Sequence, residues 1–180
     1  MRNLLPLFAL FLFLTSCDKD SPIFNGKDKL PEATQTGAST VGCLVNGKVL
    51  LPHGNGTLSG VNCFYQIENG EHYFTLNFAD YRDSRGELVA LQTTKIDIAQ
   101  GGVYKLDKTF STQADFSGAA GIYELDYTNS FYTNTIQTGE LKITRLDVSK
   151  SIISGTFWFD AVNSKGEKVE IREGRFDWNY

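Results

Sequence analysis

The run Glu68-Asn69-Gly70-Glu71-His72-Tyr73-Phe74-Thr75-Leu76-Asn77-Phe78 decides the fold class. Asn-Gly tolerates the positive φ that both central residues of a type I′ turn require, so Asn69-Gly70 predicts a two-residue hairpin. Beyond the turn, Phe74, Leu76 and Phe78 fall on one face and Tyr73, Thr75 and Asn77 on the other, the period of two of a half-buried strand. Val45-Asn46-Gly47-Lys48 predicts a second hairpin of the same kind.

Outward from this core the same pattern repeats. From Val41 onward, short alternating apolar stretches are separated by turn signals every 8 to 15 residues, which reads as all-β. Leu141 with Ile143, Ile153 with Phe157 and Phe159, and Val169 with Ile171 each mark an inward face. After Ile171 the phase slips, because Phe176 and Trp178 have the opposite parity. A bulge at Gly174 would restore the inward face. Pro6, Pro22, Pro31 and Pro52 all precede residue 53, so the strand region lacks the residue that breaks a ladder. No helix of real length is legible. The expectation is an all-β domain of about nine or ten strands, an antiparallel meander forming a β-sandwich or a closed β-barrel.

The N-terminus carries a different signal. Arg2, the apolar run from Leu4 to Leu14 and the small residues before Cys17 form a secretory signal peptide. Leu14-Thr15-Ser16-Cys17 is a bacterial lipobox, in which cleavage precedes a diacylated cysteine. Cys17 is therefore the expected lipidation site and mature N-terminus, placing the protein in the cell envelope, with the outer membrane the expected address. Each buried lipid CH2 contributes about 0.8 kcal/mol, so several acyl chains hold firmly where one holds marginally. Asp18, Lys19 and Asp20 follow the lipid cysteine like a short surface-export signal. Residues 17–40, polar and with Pro22 and Pro31, read as a tether reaching about 25 Å, although Leu30 to Thr40 could instead lie along the domain. Residues 41–180 form one domain.

Loss of residues 1–16 leaves 16 basic against 21 acidic residues, a net of −5. Such a chain lacks the basic stripe that nucleic-acid binding needs. In an oxidising compartment Cys43 and Cys63 are expected to pair; closing a loop of about 20 residues is worth roughly 3 kcal/mol.

His53 and His72 are the only histidines, and the familiar catalytic signatures are absent. No cofactor and no metal site is expected. Asp80, Asp83 and Glu87 offer oxygen ligands in one loop, but at a spacing unlike an EF-hand and beside Arg82 and Arg85. Tyr65, Tyr123, Tyr127, Phe131, Tyr132 and Trp158 are the rings that strand parity or turn position could leave exposed, and Tyr132 and Trp158 form the candidate binding surface. Exposed aromatics with a polar handle suit sugar faces or partner proteins.

LPEATQTGASTVGCLVNGKV (30–49) and IISGTFWFDAVNSKGEKVEIREGRFD (152–177) resemble the two ends of a family of small uncharacterised β-rich lipoproteins of the Bacteroidota. The resemblance covers about a quarter of the chain. It implies envelope location and a β fold, and transfers no site. The leading functional expectation is a non-enzymatic, membrane-anchored module that binds a protein or glycan. The alternatives are a structural or assembly lipoprotein and a hydrolase pairing a histidine with a loop carboxylate.

Overall fold

Asn46 and Gly47 have φ of 48° and 80°, and Asn69 and Gly70 have 52° and 80°, so both Asn-Gly pairs make the hairpin turns their chemistry favours. The computed structural model describes residues 29–82, 86–126 and 128–180. The lipobox, Cys17, the export-like acids, Asp83, Arg85 and Tyr127 lie outside the described residues.

The strands are β1 Thr40–Val45, β2 Lys48–Leu50, β3 Val61–Glu68, β4 Glu71–Asp80, β5 Glu87–Thr94, β6 Val103–Leu106, β7 Gly118–Leu125, β8 Asn129–Tyr132, β9 Gly139–Asp147, β10 Ile152–Val162 and β11 Lys168–Asn179. They form one antiparallel 11-stranded sheet in the order β2-β1-β11-β10-β8-β7-β5-β4-β3, with β9 also on β10 and β6 on β9. The sheet is not closed into a barrel. It folds over itself like a sandwich: Phe74 of β4 stacks on Phe176 of β11 with centroids 5.8 Å apart, and Phe78 meets Phe157 of β10 at 6.3 Å, although these strands share no ladder.

The period-two reading holds for the inward faces of β4, β9, β10 and β11. Phe74, Leu76 and Phe78 are buried, as are Leu141, Ile143, Ile153, Phe157, Phe159, Val169 and Ile171. Each such side chain contributes about 1.5–3 kcal/mol through removal from water. Three of the rings that parity left open are core: Tyr65, Tyr123 and Phe131 are all buried. Tyrosine can be buried when its hydroxyl finds a partner, and Tyr65 Oη lies 2.7 Å from His72 Nδ1.

The phase slip in β11 is a bulge, but the strained residue is not the glycine. Phe157 pairs with Gly174 and Phe159 with Ile171, so Arg172 and Glu173 face Trp158 alone. Glu173 takes φ of 52°, whereas Gly174 has no positive φ. Gly174 is required for a different reason: a Cβ there would overlap the Phe157 ring.

The expected Cys43–Cys63 disulfide is not formed. Both cysteines are free thiols, Cys43 buried and Cys63 partly so. Cys43 sits on β1 between β2 and β11, and Cys63 on β3, which pairs with β4 alone. The sheet order puts the two strands nowhere near ladder neighbours. Burial raises both thiols, Cys63 to about 12.

Residues 29–39 lie along the domain. Asp177, fully buried, accepts hydrogen bonds from Thr34 Oγ1 (2.6 Å), the amides of Thr36 (2.8 Å), Gly37 (2.8 Å) and Ala38 (3.1 Å), and Ser154 Oγ (2.7 Å). Burial works to raise this carboxyl, but the hydrogen bonds outweigh it and hold Asp177 far below the usual carboxylate range. Asn179 Nδ2 donates to Gly37 O, and Arg145 Nη1 to Gln35 O at 2.6 Å. The part of the polar N-terminal stretch nearest the domain is thus a docked strap.

Candidate functional site

Trp158 stands on the outer face of β10, 41 % exposed. It pairs with Glu140 of β9 on one side and faces the β11 bulge on the other. The bulge splays Arg172 and Glu173 around it, the re-aiming of side chains that an extra strand residue produces. The Arg172 guanidinium lies over the indole, 5.6 Å from the ring centroid, at a range where a cation is attracted to the ring face. Arg172 is itself fixed by Asp160 Oδ1 at 2.6 Å and by the carbonyls of Phe159 and Ile171. Beside the ring is an open depression of about 380 Å³ lined by Ala33, Glu140, Thr156, Trp158, Glu173 and Arg175, among others. Ala33 belongs to the docked strap, so the Asp177 hydrogen bonds one residue beyond it hold one wall of the depression.

Tyr132 is not part of that site. It pairs with Val162 of β10, on the same outer face as Trp158 but four residues farther along, about 13 Å at the rise of a strand. Partly buried, it lines a separate shallow depression with Phe110, Ser111, Ile122 and Glu124. The two candidate aromatics share a face without sharing a pocket.

A third depression, of about 460 Å³, opens at one end of the sandwich between Lys48, Leu50, Asp80, Arg82, Glu87 and Tyr123. Arg82 grips Asp80 with Nε 3.0 Å from both carboxylate oxygens and Nη2 2.6 Å from Oδ2. Burial opposes ionisation of Asp80, but Arg82 outweighs it and the carboxyl stays below its ordinary value. Burial, then the neighbouring Glu87 carboxylate, raises Tyr123. His53 Nδ1 is 3.1 Å from Leu51 O and 3.7 Å from Asp80 Oδ2. His72, at the opposite end of β4, has Nδ1 3.3 Å from Asp97 Oδ1 as well as near Tyr65. The two histidines therefore do not meet. Among the described residues, no three His, Cys, Asp or Glu side chains converge on a metal position.

Sequence reading singled out Trp158 but not the residues that frame it. Arg172, Glu140 and Arg175 are ordinary charged residues of strands, and only the bulge and the β9 register gather them. Asp177 likewise reads as a strand-end acid. Its partners Thr34, Thr36, Gly37 and Ala38 fall within residues 30–49, and Ser154 falls with Asp177 within residues 152–177.

No curated protein and no solved structure matches the chain. A family model does: it spans Arg82 to Asp177 and so contains β5 to β10, Trp158, Tyr132, the bulge and the strap's carboxylate. It is described as a domain of unknown function, DUF6252, it covers residues 82–177, more than half of the chain, and the chain belongs to that family.

Proposed function

We propose that this protein is a lipid-anchored envelope protein of the outer membrane whose β domain is a non-enzymatic binding module, and that the depression beside Trp158 takes a carbohydrate. The single observation carrying the binding site is Trp158. It is a large exposed ring held by Arg172, next to a hollow whose polar rim offers Glu140, Thr156, Glu173 and Arg175. An indole face stacks on the C–H face of a sugar while carboxylates and a guanidinium bond its hydroxyls, the division of labour expected of an aromatic with polar neighbours. The lipobox ending in Cys17, and the resemblance of residues 30–49 and 152–177 to small Bacteroidota lipoproteins, support the anchor and the address.

The test has two arms. Mass spectrometry of the membrane fraction should find acyl chains on Cys17, and Cys17→Ser should release or stall the protein; an unmodified soluble product with Leu14-Thr15-Ser16 intact refutes the anchor. In a glycan array, Trp158→Ala should weaken binding about tenfold or more, equivalent to roughly 1.4 kcal/mol, with the β-type circular dichroism unchanged. His53→Ala should bind as the parent does. A loss confined to Tyr132→Ala moves the surface to the neighbouring depression. Absence of binding to any glycan refutes the carbohydrate reading.

A further inference from the structure

β3 is an open sheet edge of unusual kind. It ends the strand order and pairs with β4 alone, in unbroken register from Val61↔Phe78 to Glu68↔Glu71. In a two-residue hairpin the flanking pair, here Glu68 and Glu71, exchanges both backbone hydrogen bonds. Glu68, Gln66, Phe64 and Asn62 therefore point their amides and carbonyls at β4, and Ile67, Tyr65, Cys63 and Val61 point theirs away. The bond from Lys95 N to His72 O, on the β5 side of β4, fits this alternation. Ser59 Oγ caps Val61, accepting from its N–H and donating to its carbonyl. The outward groups of Cys63, Tyr65 and Ile67 have no partner among the described residues.

Edges of this length are normally blunted by lysine, proline, a bulge or brevity. The other two edges follow that rule, since β2 has 3 residues with Lys48 and β6 has 4 with Lys105. β3 has 8 residues, VNCFYQIE, without proline, bulge or cation. Ile67 is 56 % and Phe64 38 % exposed.

We infer that β3 is a homodimer edge, on which β3 of a second copy of this chain pairs antiparallel about a two-fold axis at Tyr65. That register sets Tyr65 against Tyr65 and Cys63 against Ile67 as hydrogen-bonded pairs, using the three unpaired residues of each copy and leaving the capped Val61 outside. A register centred on Phe64 would need Val61 instead. On the outer face Phe64 meets Gln66 and Asn62 meets Glu68, so the one charge of each strand faces an amide and no like charges oppose. The exposed Ile67 side chain is covered over Cys63 of the second copy. The inference does not depend on the carbohydrate reading, which concerns β10 and β11.

The register can be tested in the full chain, in membranes of the expressing cell, with Asn62→Cys combined with Glu68→Cys. Opposite residues of a non-hydrogen-bonded pair have Cα atoms about 4.5 Å apart, within disulfide range. Within one strand, positions 62 and 68 are about 20 Å apart and cannot bridge. Oxidation should shift the double variant to twice the chain mass on a non-reducing gel, with a 62–68 cross-linked peptide. Each single variant should stay at the monomer mass, and adding Ile67→Lys should abolish the shift. Amides of Cys63, Tyr65 and Ile67 should be protected from hydrogen exchange in the parent and lose protection in Ile67→Lys. A double variant that stays monomeric overturns the inference. So do fast exchange at Tyr65, protection of these amides at monomer mass, and a dimer that persists with them unprotected.

Discussion

Thr34 donates a 2.6 Å hydrogen bond to Asp177 across 143 residues of sequence, tying the segment that precedes the first strand to the end of the last. Three backbone amides and the hydroxyls of Thr36 and Ser154 complete the set around the same carboxylate. Residues 34–38 are thus fastened to the domain on β11. The depression beside Trp158 shares that attachment, because Ala33 lines it.

Asp177→Asn removes the charge and turns an NH2 group toward donors, so it should destabilise the domain by about 3 kcal/mol, the scale for a buried charged acceptor. Urea unfolding measures the loss, and limited proteolysis should show cleavage near Lys29 and Glu32 that the parent resists. The pH dependence follows from the direction of the shift. The folded-state carboxyl lies below its unfolded value, so its stabilisation is complete above the ordinary carboxylate range near pH 4 and declines as pH falls. The parent should lose stability on acidification more steeply than Asp177→Asn. Asp147, lowered to about 2 chiefly by Arg145 and Ser149, titrates in both proteins, so the difference between their slopes isolates Asp177.

At the bulge, two adjacent substitutions should behave oppositely. Gly174→Ala drives a methyl group into the Phe157 ring and should cost about 2–3 kcal/mol, with Trp158 fluorescence altered as the bulge shifts. Glu173→Gly relieves a positive φ of 52° and should leave thermal stability within about 1 kcal/mol of the parent. Equal losses from both would mean the bulge is not where the strain resides.

The folded, oxidised protein should carry Cys43 and Cys63 as thiols that label only on unfolding. Burial holds the Cys63 thiol up at about 12 and Cys43 higher still, so little thiolate forms at neutral pH. Alkylation followed by intact-mass analysis should show no modification of either in the native state and two in urea. A mass two hydrogens lighter, with no labelling in urea, would establish the disulfide instead.

His72→Phe deprives Tyr65 Oη of its 2.7 Å partner inside a buried site and should destabilise by about 1–2 kcal/mol. Ligand affinity at the Trp158 depression should not change. Loss of binding with stability intact would place His72 in the function, at the opposite end of β4 from His53.

The sheet's inward face was legible because a strand's period of two is local: Phe74, Leu76 and Phe78 announce their burial without reference to any other strand. The same holds for the two Asn-Gly turns, whose geometry depends on two residues. Even the β11 bulge was visible as a change of parity between Ile171 and Phe176. Its strained position was not: Glu173 takes the positive φ, while Gly174 lies against the Phe157 ring across the ladder.

Local sequence therefore determined that the chain folds as strands, where the first two hairpins turn and which faces of β4, β9, β10 and β11 are apolar, all consequences of backbone periodicity and turn sterics within a few residues. Only the tertiary structure decided the rest. Cys43 and Cys63 remain free thiols, on strands that the sheet order does not make ladder neighbours. The same order leaves β3 as the long open edge, and it buries Tyr65, Tyr123 and Phe131. Arg172 is brought over Trp158 by a register shift between two strands. Asp177 finds Thr34 because the sheet carries the last strand beneath the segment that precedes the first, and a carboxylate at the chain's end bears no mark of the amides it will bind.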